Sequence, residues 1–426
     1  MILRWFLSQE VRNAAAMRKH VGRILAAQRD LLTPSAIENV RRALADLTAA
    51  LNAGAKGEAL KKEMGKLEEA ANKWLKPYPN AGIRENVEVL LVALAVAMAI
   101  RTFFLQPFKI PTGSMQPTLF GVTSVPDFTK VNFWKSDREQ VMAELNEQSK
   151  LRNAITFPTG LERIREWFEG ISYVHVIAQA DGKIDQISPM RRFLIFNLKQ
   201  SIWIGGVEHV LWFPPDFGEQ PLEKRAGLFL DQGHVFHKGD EVIKMKVCAG
   251  DLLFVNRLTY NFRKPERGEI IVFETKGINN PDAFGVNQMP QDQFYIKRMV
   301  VKPGERVSIG DDRHAVINGV RLDASTPHFE NVYGFDPKAP PHESQFSGHV
   351  NGTVAQEFNQ YPNLAPLFPD AQTVFTNGDD SYMVFGDNTC NSSDSRTWGT
   401  FPAQNIIGKS FFVYWPITSR FGWGNQ

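Results

Sequence analysis

A serine and a distant lysine are the residues of this chain best suited to nucleophilic chemistry. Ser114 stands between a glycine and a methionine in residues 110–119, IPTGSMQPTL, and Lys297 stands in the apolar stretch 294–301, FYIKRMVV. A serine hydroxyl is a weak nucleophile until a base takes its proton. A lysine can be that base only when it is neutral, and burial lowers its pKa from the usual value of about 10.4. The pair predicts a serine/lysine hydrolase if Lys297 is buried, and an ordinary surface lysine otherwise.

The serine motif follows an apolar segment long enough to cross a membrane. Extending the unbroken apolar run 89–100 to residues 87–105 gives about 28 Å of helix, close to a hydrocarbon thickness of about 30 Å. Glu88 and Arg101 lie near its ends, where side chains reach the headgroups. The short run alone also fits a buried helix or a signal-peptide core, but a cleavable signal peptide is not expected so far from the N-terminus. We therefore expect one transmembrane helix over residues 85–105.

The segment before this helix, residues 1–84, has a helical pattern. Thr33 and Pro34 are an N-cap and a first-turn proline, and Gly54 ends the apolar periodicity that follows. A second helix is predicted from Glu58 to Leu75. The segment therefore predicts a helical hairpin on the cytoplasmic side of the membrane.

The segment after residue 250 has the pattern of a β domain. Short apolar runs bounded by Gly, Pro and Asp predict strands at residues 252–255, 269–273, 294–296 and 411–415. The pair Asn318-Gly319 between β-forming residues predicts a hairpin. The segment between the serine motif and this region mixes predicted helices with predicted strands, at residues 137–151, 161–168, 173–177 and 193–196.

A third block, residues 386–396 with the sequence GDNTCNSSDSR, completes a pattern of three separated motifs. The serine motif, the Tyr-Ile-Lys-Arg strand and this block resemble, in the same order, type I signal peptidase. That family consists of membrane-bound serine/lysine proteases that remove signal peptides from exported proteins. Residues 250–252, 267–270 and 302–305 are similar to further parts of the family pattern. The resemblance implies a mainly β catalytic core over residues 106–119 and 250–426, without a metal or another cofactor.

The resemblance also implies a role for each polar residue of the motifs. Ser114 would be the nucleophile and Lys297 the general base. Ser392 would position the lysine amine, and Asp394 and Arg396 would form a supporting ion pair.

Substrate contacts are implied in the same way. The Ser114 backbone N–H and the hydroxyl of Thr112, where the family often has a serine, would hold the oxyanion. Small residues at the first and third positions before the cut, as in Ala-x-Ala, would enter shallow pockets. The residues implied to line these pockets, for which core packing is the alternative, are Phe108, Ile110, Met115, Leu119 and Ile296.

Residues 120–249 separate two blocks that are nearly contiguous in the family. They predict an inserted α/β domain that guides substrates, binds a partner or decorates the surface. With 426 residues, 43% of them apolar, the chain predicts a globular protein of two or three domains. Its formal net charge of +2 gives no argument for a nucleic-acid partner.

The resemblance implies signal-peptide-bearing preproteins and the lipid bilayer as partners, with the protein-export translocon as a further candidate. It places a single-pass protein in the bacterial inner membrane. Lys73, Lys76 and Arg84 slightly favour a cytoplasmic N-terminus, which leaves the catalytic domain on the periplasmic, extracytoplasmic side.

Two rival functions remain open at this point. A self-cleaving repressor shares the serine/lysine pair, but this chain has an apolar span and no pair of DNA-binding helices before it. A catalytically inactive, membrane-tethered scaffold would have no use for Ser114, Lys297 and Ser392 together. A disulfide between Cys248 and Cys390 also stays open, since two cysteines carry no framework pattern.

Overall fold

The computed structural model describes residues 8–76, 81–131, 133, 138–193, 196–228, 233–278, 290–334, 348–356 and 364–423. The chain divides into two compact units, residues 1–96 and 97–426. In chain order, the α-helices are α1 (Gln9–Ala27), α2 (Pro34–Ala53), α3 (Glu58–Trp74), α4 (Ala81–Phe103), α5 (Arg138–Asn153), α6 (Leu161–Phe168), α7 (Leu222–Arg225), α8 (Thr259–Phe262), α9 (Glu330–Tyr333), α10 (Gly352–Gln356) and α11 (Ser395–Trp398). The strands are β1 (Leu105–Lys109), β2 (Thr123–Val125), β3 (Ile171–Ile177), β4 (Ile184–Ile187), β5 (Arg191–Phe193), β6 (Phe196–Ile204), β7 (Val207–Trp212), β8 (Glu241–Cys248), β9 (Leu252–Asn256), β10 (Ile270–Glu274), β11 (Phe294–Val301), β12 (Arg306–Ile309), β13 (Ala315–Ile317), β14 (Val320–Arg321), β15 (Phe375–Thr376), β16 (Ser381–Phe385), β17 (Phe401–Pro402), β18 (Ile406–Trp415) and β19 (Gly422–Trp423).

Residues 8–76 contain three helices, so the prediction of two helices there is wrong by one. The predicted ends of α2 are confirmed: Thr33 accepts a hydrogen bond from the Ala36 N–H, and Gly54 is left-handed with φ 83°. The sequence pattern missed α1, where the small residue Ala14 takes a core position. Side chains from all three helices form one core, made of Ala14, Val21, Leu25, Val40, Leu47, Leu51, Leu60 and Leu67.

Helix α4 carries the apolar segment. Residues 83–103 of this helix are long and apolar enough to cross a membrane, and the apolar side chains there are exposed. The helix begins at Ala81 and ends at Phe103, and Leu105 already pairs with Asn256 as the first residue of β1. The transmembrane span over residues 85–105 stays a prediction.

The three sequence motifs lie on or directly after strands of one antiparallel sheet of eight strands, here called the main sheet. Its order is β1-β9-β18-β10-β11-β16-β17, with β19 paired to β18. The serine motif begins where β1 ends, and Lys297 lies on β11 opposite Ile271 of β10. Near the serine motif the sheet packs on a core that includes Leu253, Val255, Ile270, Val272 and Val413. The mainly β fold expected from the sequence is confirmed.

A smaller sheet of order β14-β13-β12-β15 packs beside this main sheet. The hairpin predicted at Asn318-Gly319 is confirmed, since β13 and β14 pair on either side of these residues. Their φ angles are 50° and 84°, the left-handed values that a tight type I′ hairpin turn requires.

Residues 120–249 contain two further sheets, one of order β2-β8-β3 and one in which β6 pairs with β4, β5 and β7. They share a core that includes Val174, Ile202, Ile204, Met245 and Val247. The single strand predicted at residues 193–196 is wrong, because Phe193 ends β5 and Phe196 begins β6, and the two are antiparallel partners. Residues 194 and 195 lie outside the described residues.

No disulfide joins the two cysteines. Cys390 is buried beside the third motif, whereas Cys248 ends β8 in the inserted region. The structure thus decides against the disulfide that the sequence left open.

Candidate active site

The nucleophile candidate Ser114 lies in a turn held by main-chain hydrogen bonds. The Ile110 N–H donates to the Asp251 carbonyl at 2.9 Å, which fixes the chain as it leaves β1. The carbonyl of Ser114 accepts from the Asn388 N–H at 3.0 Å, and the Asn388 side-chain amide donates to the Gly113 carbonyl at 3.1 Å. Asn388 of the third motif therefore holds the backbone of the serine motif in place through two hydrogen bonds.

Lys297 reaches Ser114 from the central part of the sheet. Its Nζ lies 2.8 Å from Ser114 Oγ, and it donates to the Ile296 carbonyl at 3.0 Å. The Tyr295 ring centroid is 5.4 Å from the same nitrogen. Both Ser114 and Lys297 are buried, so bulk water does not separate the two groups.

Burial lowers the pKa of Lys297 to about 8, because a charged ammonium loses its hydration there. The carboxylates of Asp394, Asp387 and Glu219 oppose this shift, since they favour the charged form. A lysine with such a pKa is partly neutral near neutral pH, which is the state that can accept a proton from serine.

Asp394 and Arg396 form the ion pair that the sequence resemblance implies. The guanidinium donates twice to the carboxylate, at 2.9 and 2.8 Å, and both side chains are fully buried. Burial alone would raise the pKa of Asp394, but Arg396 and the N–H groups of Gly386 and Arg396 outweigh it, and the pKa is lowered. The carboxylate thus stays charged and fixes the backbone of the third motif.

A second buried ion pair, between Arg298 and Asp387, was not assigned from the sequence. Arg298 donates to both carboxylate oxygens, at 2.7 and 2.5 Å, and to the Gly268 carbonyl at 2.7 Å. The Thr118 hydroxyl donates to Asp387 at 2.5 Å. The pair therefore links all three motifs. Arg298, a charged residue inside the apolar stretch 294–301, was the signal that could have pointed to it.

Ser392 lies beside the nucleophile but does not reach the lysine. Its Oγ is buried and has no hydrogen-bond partner among the residues that the structure describes. A Cβ on Gly386 would lie 2.1 Å from this Oγ and 2.7 Å from the Ser114 carbonyl oxygen. The structure thus brings Ser392 to Ser114, whereas the contact with the Lys297 amine remains a prediction.

The hydroxyl of Thr112 lies 3.4 Å from Ser114 Oγ, on the side chain two residues before the nucleophile. Thr112 is half-buried, so a bound substrate has access to it. Its role as a hydrogen-bond donor to the oxyanion stays a prediction.

The five predicted pocket residues belong to one apolar cluster, but they differ in exposure. Ile110, Met115 and Leu119 are fully buried and pack as core in this structure. Phe108 and Ile296 are half-buried on the same cluster. The Phe108 ring makes an edge contact with Phe294 at 5.5 Å between centroids. Phe108 and Ile296 are therefore the members of the set that a peptide can contact without a rearrangement.

A loop of the inserted region, residues 214–221, borders the site, which the sequence did not predict. Asp216 forms an ion pair with Lys109 at the end of β1. Gly218 packs so closely that a Cβ there would lie 3.1 Å from the Pro111 carbonyl oxygen. Glu219 follows, and its charge acts on Lys297.

Comparisons with known proteins show which family the chain resembles. The model of the family "Signal peptidase, peptidase S26" matches residues 83–132 and 236–415, and the unmatched residues between them lie within the inserted region. Signal peptidase I of Leptolyngbya laminosa is 32% identical over 170 residues, which are 40% of this chain and 62% of that protein. Probable signal peptidase I-2 of Synechocystis sp. is 32% identical over 167 residues, 39% of this chain and 56% of that protein.

A crystal structure of a signal peptidase I from Enterococcus faecalis V583 is 24% identical and covers 34% of this chain and 97% of its own, with a TM-score of 0.20. The chain spans 62% of the length of the Leptolyngbya laminosa protein and 56% of the length of the Synechocystis sp. protein. The family model itself covers more than half of the chain and includes all three motifs. The chain belongs to the signal peptidase, peptidase S26, family.

Proposed function

We propose that this protein is a membrane-bound serine endopeptidase that removes N-terminal signal peptides from exported preproteins. The observation that carries the proposal is the 2.8 Å separation between Ser114 Oγ and Lys297 Nζ in a buried site. Ser114 is the nucleophile and Lys297 is the general base.

The reaction begins with proton transfer within this pair. Neutral Lys297 takes the hydroxyl proton as Ser114 Oγ attacks the scissile carbonyl, and the resulting ammonium then protonates the leaving amine. An ester joins Ser114 to the signal peptide at this stage. Lys297 next activates a water molecule that hydrolyses the ester and frees the serine. The lowered pKa of Lys297 supports this role, because a lysine of ordinary pKa would be charged throughout.

The oxyanion of each tetrahedral intermediate is held by the Ser114 backbone N–H and the Thr112 hydroxyl. The 3.4 Å distance between the two hydroxyl oxygens supports Thr112 as a donor close to the attacked carbon. Fixed donors at a developing charge are among the largest contributions to catalysis.

The buried charges outside the pair act as positioning groups. Asp394 and Arg396 fix the third motif, and Asn388 in that motif fixes the Ser114 carbonyl. Ser392, whose buried Oγ has no hydrogen-bond partner among the described residues, is assigned the positioning of the lysine amine. We assign to these residues the orientation of Ser114 and Lys297, not a bond to substrate.

The substrate class follows from the family and from the shallow apolar surface beside Ser114. Small residues such as Ala at the first and third positions before the cut fit next to Phe108 and Ile296, with Ile110, Met115 and Leu119 as the floor.

Helix α4 anchors the protein in the bacterial inner membrane, with residues 1–84 in the cytoplasm and the catalytic domain outside it. The translocon that delivers the preprotein is a candidate partner.

The proposal is tested with the full-length protein in detergent and a preprotein bearing an Ala-x-Ala site. Wild type should cut after the last Ala, as read by mass spectrometry of both products, and Ser114→Ala should not. The absence of cleavage by folded wild type, or equal cleavage by Ser114→Ala, would contradict the proposal. A surface serine such as Ser325, which is exposed, serves as the matched control in the variant Ser325→Ala.

A further inference from the structure

The inserted region exposes large apolar side chains at one end of its second sheet. Phe193, Phe196, Trp212 and Phe213 are 63–70% exposed, and Leu198 is 37% exposed. These five residues, here called the apolar tip, lie on or directly after the neighbouring strands β5, β6 and β7. Phe193 and Phe196 are direct cross-strand partners, and the Phe213 N–H donates to the Leu198 carbonyl at 3.0 Å. Phe193, Phe196 and Leu198 therefore share one face of the sheet, with Phe213 beside Leu198, whereas Trp212 is paired with Lys199 on the other face.

This exposure has a cost in water that the described fold does not offset. Isolated apolar residues on a surface are ordinary, but a cluster of aromatic side chains marks an interaction site. Phe213 also has φ 49°, a left-handed conformation that is unfavourable for a bulky residue. Its ring lies 6.5 Å from that of Trp212 and is otherwise open to solvent. The backbone is thus held in a strained form that presents the ring outward.

The apolar tip is flanked by positive charge. Arg191 and Arg192, on the same strand as Phe193, are exposed. Among the described residues neither arginine lies within 4.0 Å of a carboxylate, whereas the neighbouring Lys199 pairs with Glu208 at 3.6 Å. Arg191 interacts electrostatically with Glu208, and Arg192 with Asp216. Exposed guanidinium groups beside aromatic rings match the chemistry of an anionic membrane surface, where phosphates lie above acyl chains.

The apolar tip is tied to the part of the chain that follows the apolar helix. The Asn197 side chain donates to the Pro214 carbonyl at 3.1 Å, just after Phe213. Asp216 then pairs with Lys109, the last residue of β1. Since β1 begins two residues after α4 ends, the tip is connected through one ion pair and one short strand to the point where the chain leaves the span.

We propose that the apolar tip docks on the surface of the bilayer in which α4 is anchored. The rings of Phe193, Phe196 and Phe213 enter the boundary between headgroups and acyl chains, and Arg191 and Arg192 bind anionic headgroup phosphates. This contact is additional to the span and does not depend on the peptidase activity proposed above. It gives the inserted region a function: the loop that borders the catalytic cleft is held at the membrane surface.

The test measures the depth of a fluorescent label in nanodiscs that contain the full-length protein. An environment-sensitive dye is attached to Phe196→Cys, and a matched control carries it on Val320→Cys, which is equally exposed at the β13–β14 hairpin. Wild type labelled in parallel gives the background from Cys248 and Cys390. We expect a lipid-borne nitroxide to quench the dye at position 196 and not the dye at position 320.

Three further outcomes are decisive. Replacing Arg191 and Arg192 by Gln should lower the ratio of docked to undocked tip about five-fold for each charge in anionic nanodiscs. Quenching at position 196 by aqueous iodide only would overturn the proposal. Protection of position 196 by an added preprotein, without quenching from lipid, would assign the apolar tip to the substrate and would also overturn it.

Discussion

The side chain of Ser392 occupies the space in which a Cβ of Gly386 would lie. The hypothetical Cβ would be 2.1 Å from Ser392 Oγ, 2.5 Å from Ser392 Cβ and 2.7 Å from the Ser114 carbonyl oxygen. The third motif therefore closes on the nucleophile turn only because residue 386 has no side chain. This contact explains in steric terms why the glycine, the second serine and the nucleophile occur together.

We predict that Gly386→Ala lowers kcat about 100-fold while the protein remains folded. The added methyl group must push Ser114 or Ser392 away, and a displacement of about 1 Å at a reacting group is enough for such a loss. The double variant Gly386→Ala/Ser392→Gly removes the two shortest contacts and should recover part of the activity. Preprotein cleavage rates at saturating substrate measure both; an undiminished rate in the single variant would refute the steric account.

The pH dependence of cleavage should follow the proton on Lys297. Its pKa is about 8, and the base must be neutral, so kcat/KM should rise with pH up to about 8 and then level off. A rate that is flat between pH 6 and pH 9 would exclude this lysine as the base.

Glu219 should shift that profile, since its charge favours protonated Lys297. In Glu219→Gln the pKa of Lys297 falls, and the acid limb moves to lower pH. The shift is expected to be a fraction of a unit, because Glu219 is exposed and solvent screens it. Glu223→Gln, in the following short helix α7, is the matched control. A shift in the opposite direction would contradict the sign of the coupling.

Lys297 should also reduce the stability of the folded protein near neutral pH. Its pKa is lower in the folded state than in the unfolded chain, so the folded state disfavours the proton. Stability contributed by this group therefore rises as pH increases from about 8 toward the unfolded value of about 10.4. Lys297→Met should raise the free energy of unfolding at pH 7, by at most about 3 kcal/mol.

The advantage of Lys297→Met should disappear near pH 10, where lysine is neutral in both states. Denaturant unfolding of both proteins at pH 7 and pH 10 measures the difference. A methionine variant less stable than wild type at pH 7 would show that the hydrogen bonds of Lys297 outweigh its desolvation.

The sequence predicted some of this site and missed other parts for identifiable reasons. Ser114 and Lys297 were paired through the resemblance of their motifs, because no spacing rule joins residues 183 positions apart. The pair Arg298–Asp387 was overlooked, although both residues lie inside the quoted motifs, because a charge in an apolar run does not reveal its partner. Phe108 and Ile296 are half-buried, whereas the other three predicted pocket residues are fully buried. The sequence did not predict this difference, because it does not encode exposure directly.

Some elements of the fold were also predicted from the sequence, and others were missed. Strong local signals, such as Thr33 and Gly54 around α2 or Asn318-Gly319 in a hairpin, gave correct boundaries. Helix α1 was missed because its core positions include alanine, which gives little hydrophobic contrast. The contact of the loop containing Asp216 with β1 depends on tertiary packing alone.

The buried pair of Asp394 and Arg396 should be essential for folding stability. Asp394→Asn leaves a fully buried guanidinium without its counter-charge, which typically costs about 3–5 kcal/mol. Asp312→Asn is the matched control, since Asp312 pairs with Arg321 at 2.8 Å with both side chains about half exposed. That change should cost at most about 1 kcal/mol. Equal losses in the two variants, measured by denaturant unfolding, would refute the assigned difference.

The oxyanion role of Thr112 depends on its hydroxyl and not on its shape. Thr112→Val keeps the branched side chain and removes the donor, so kcat should fall about 100- to 1000-fold. Thr112→Ser keeps the donor and should retain near-normal activity. An unchanged rate in the valine variant would remove Thr112 from the mechanism.

The central claim, that Ser114 and Lys297 act as one catalytic unit, is tested most directly by comparing preprotein cleavage by Ser114→Ala, Lys297→Met and the double variant at pH 8. If the two residues act in the same step, the double variant should be no slower than either single variant, because removal of one partner already abolishes the reaction path. Losses that multiply in the double variant, or a Lys297→Met enzyme that keeps most of its activity, would contradict the serine/lysine mechanism.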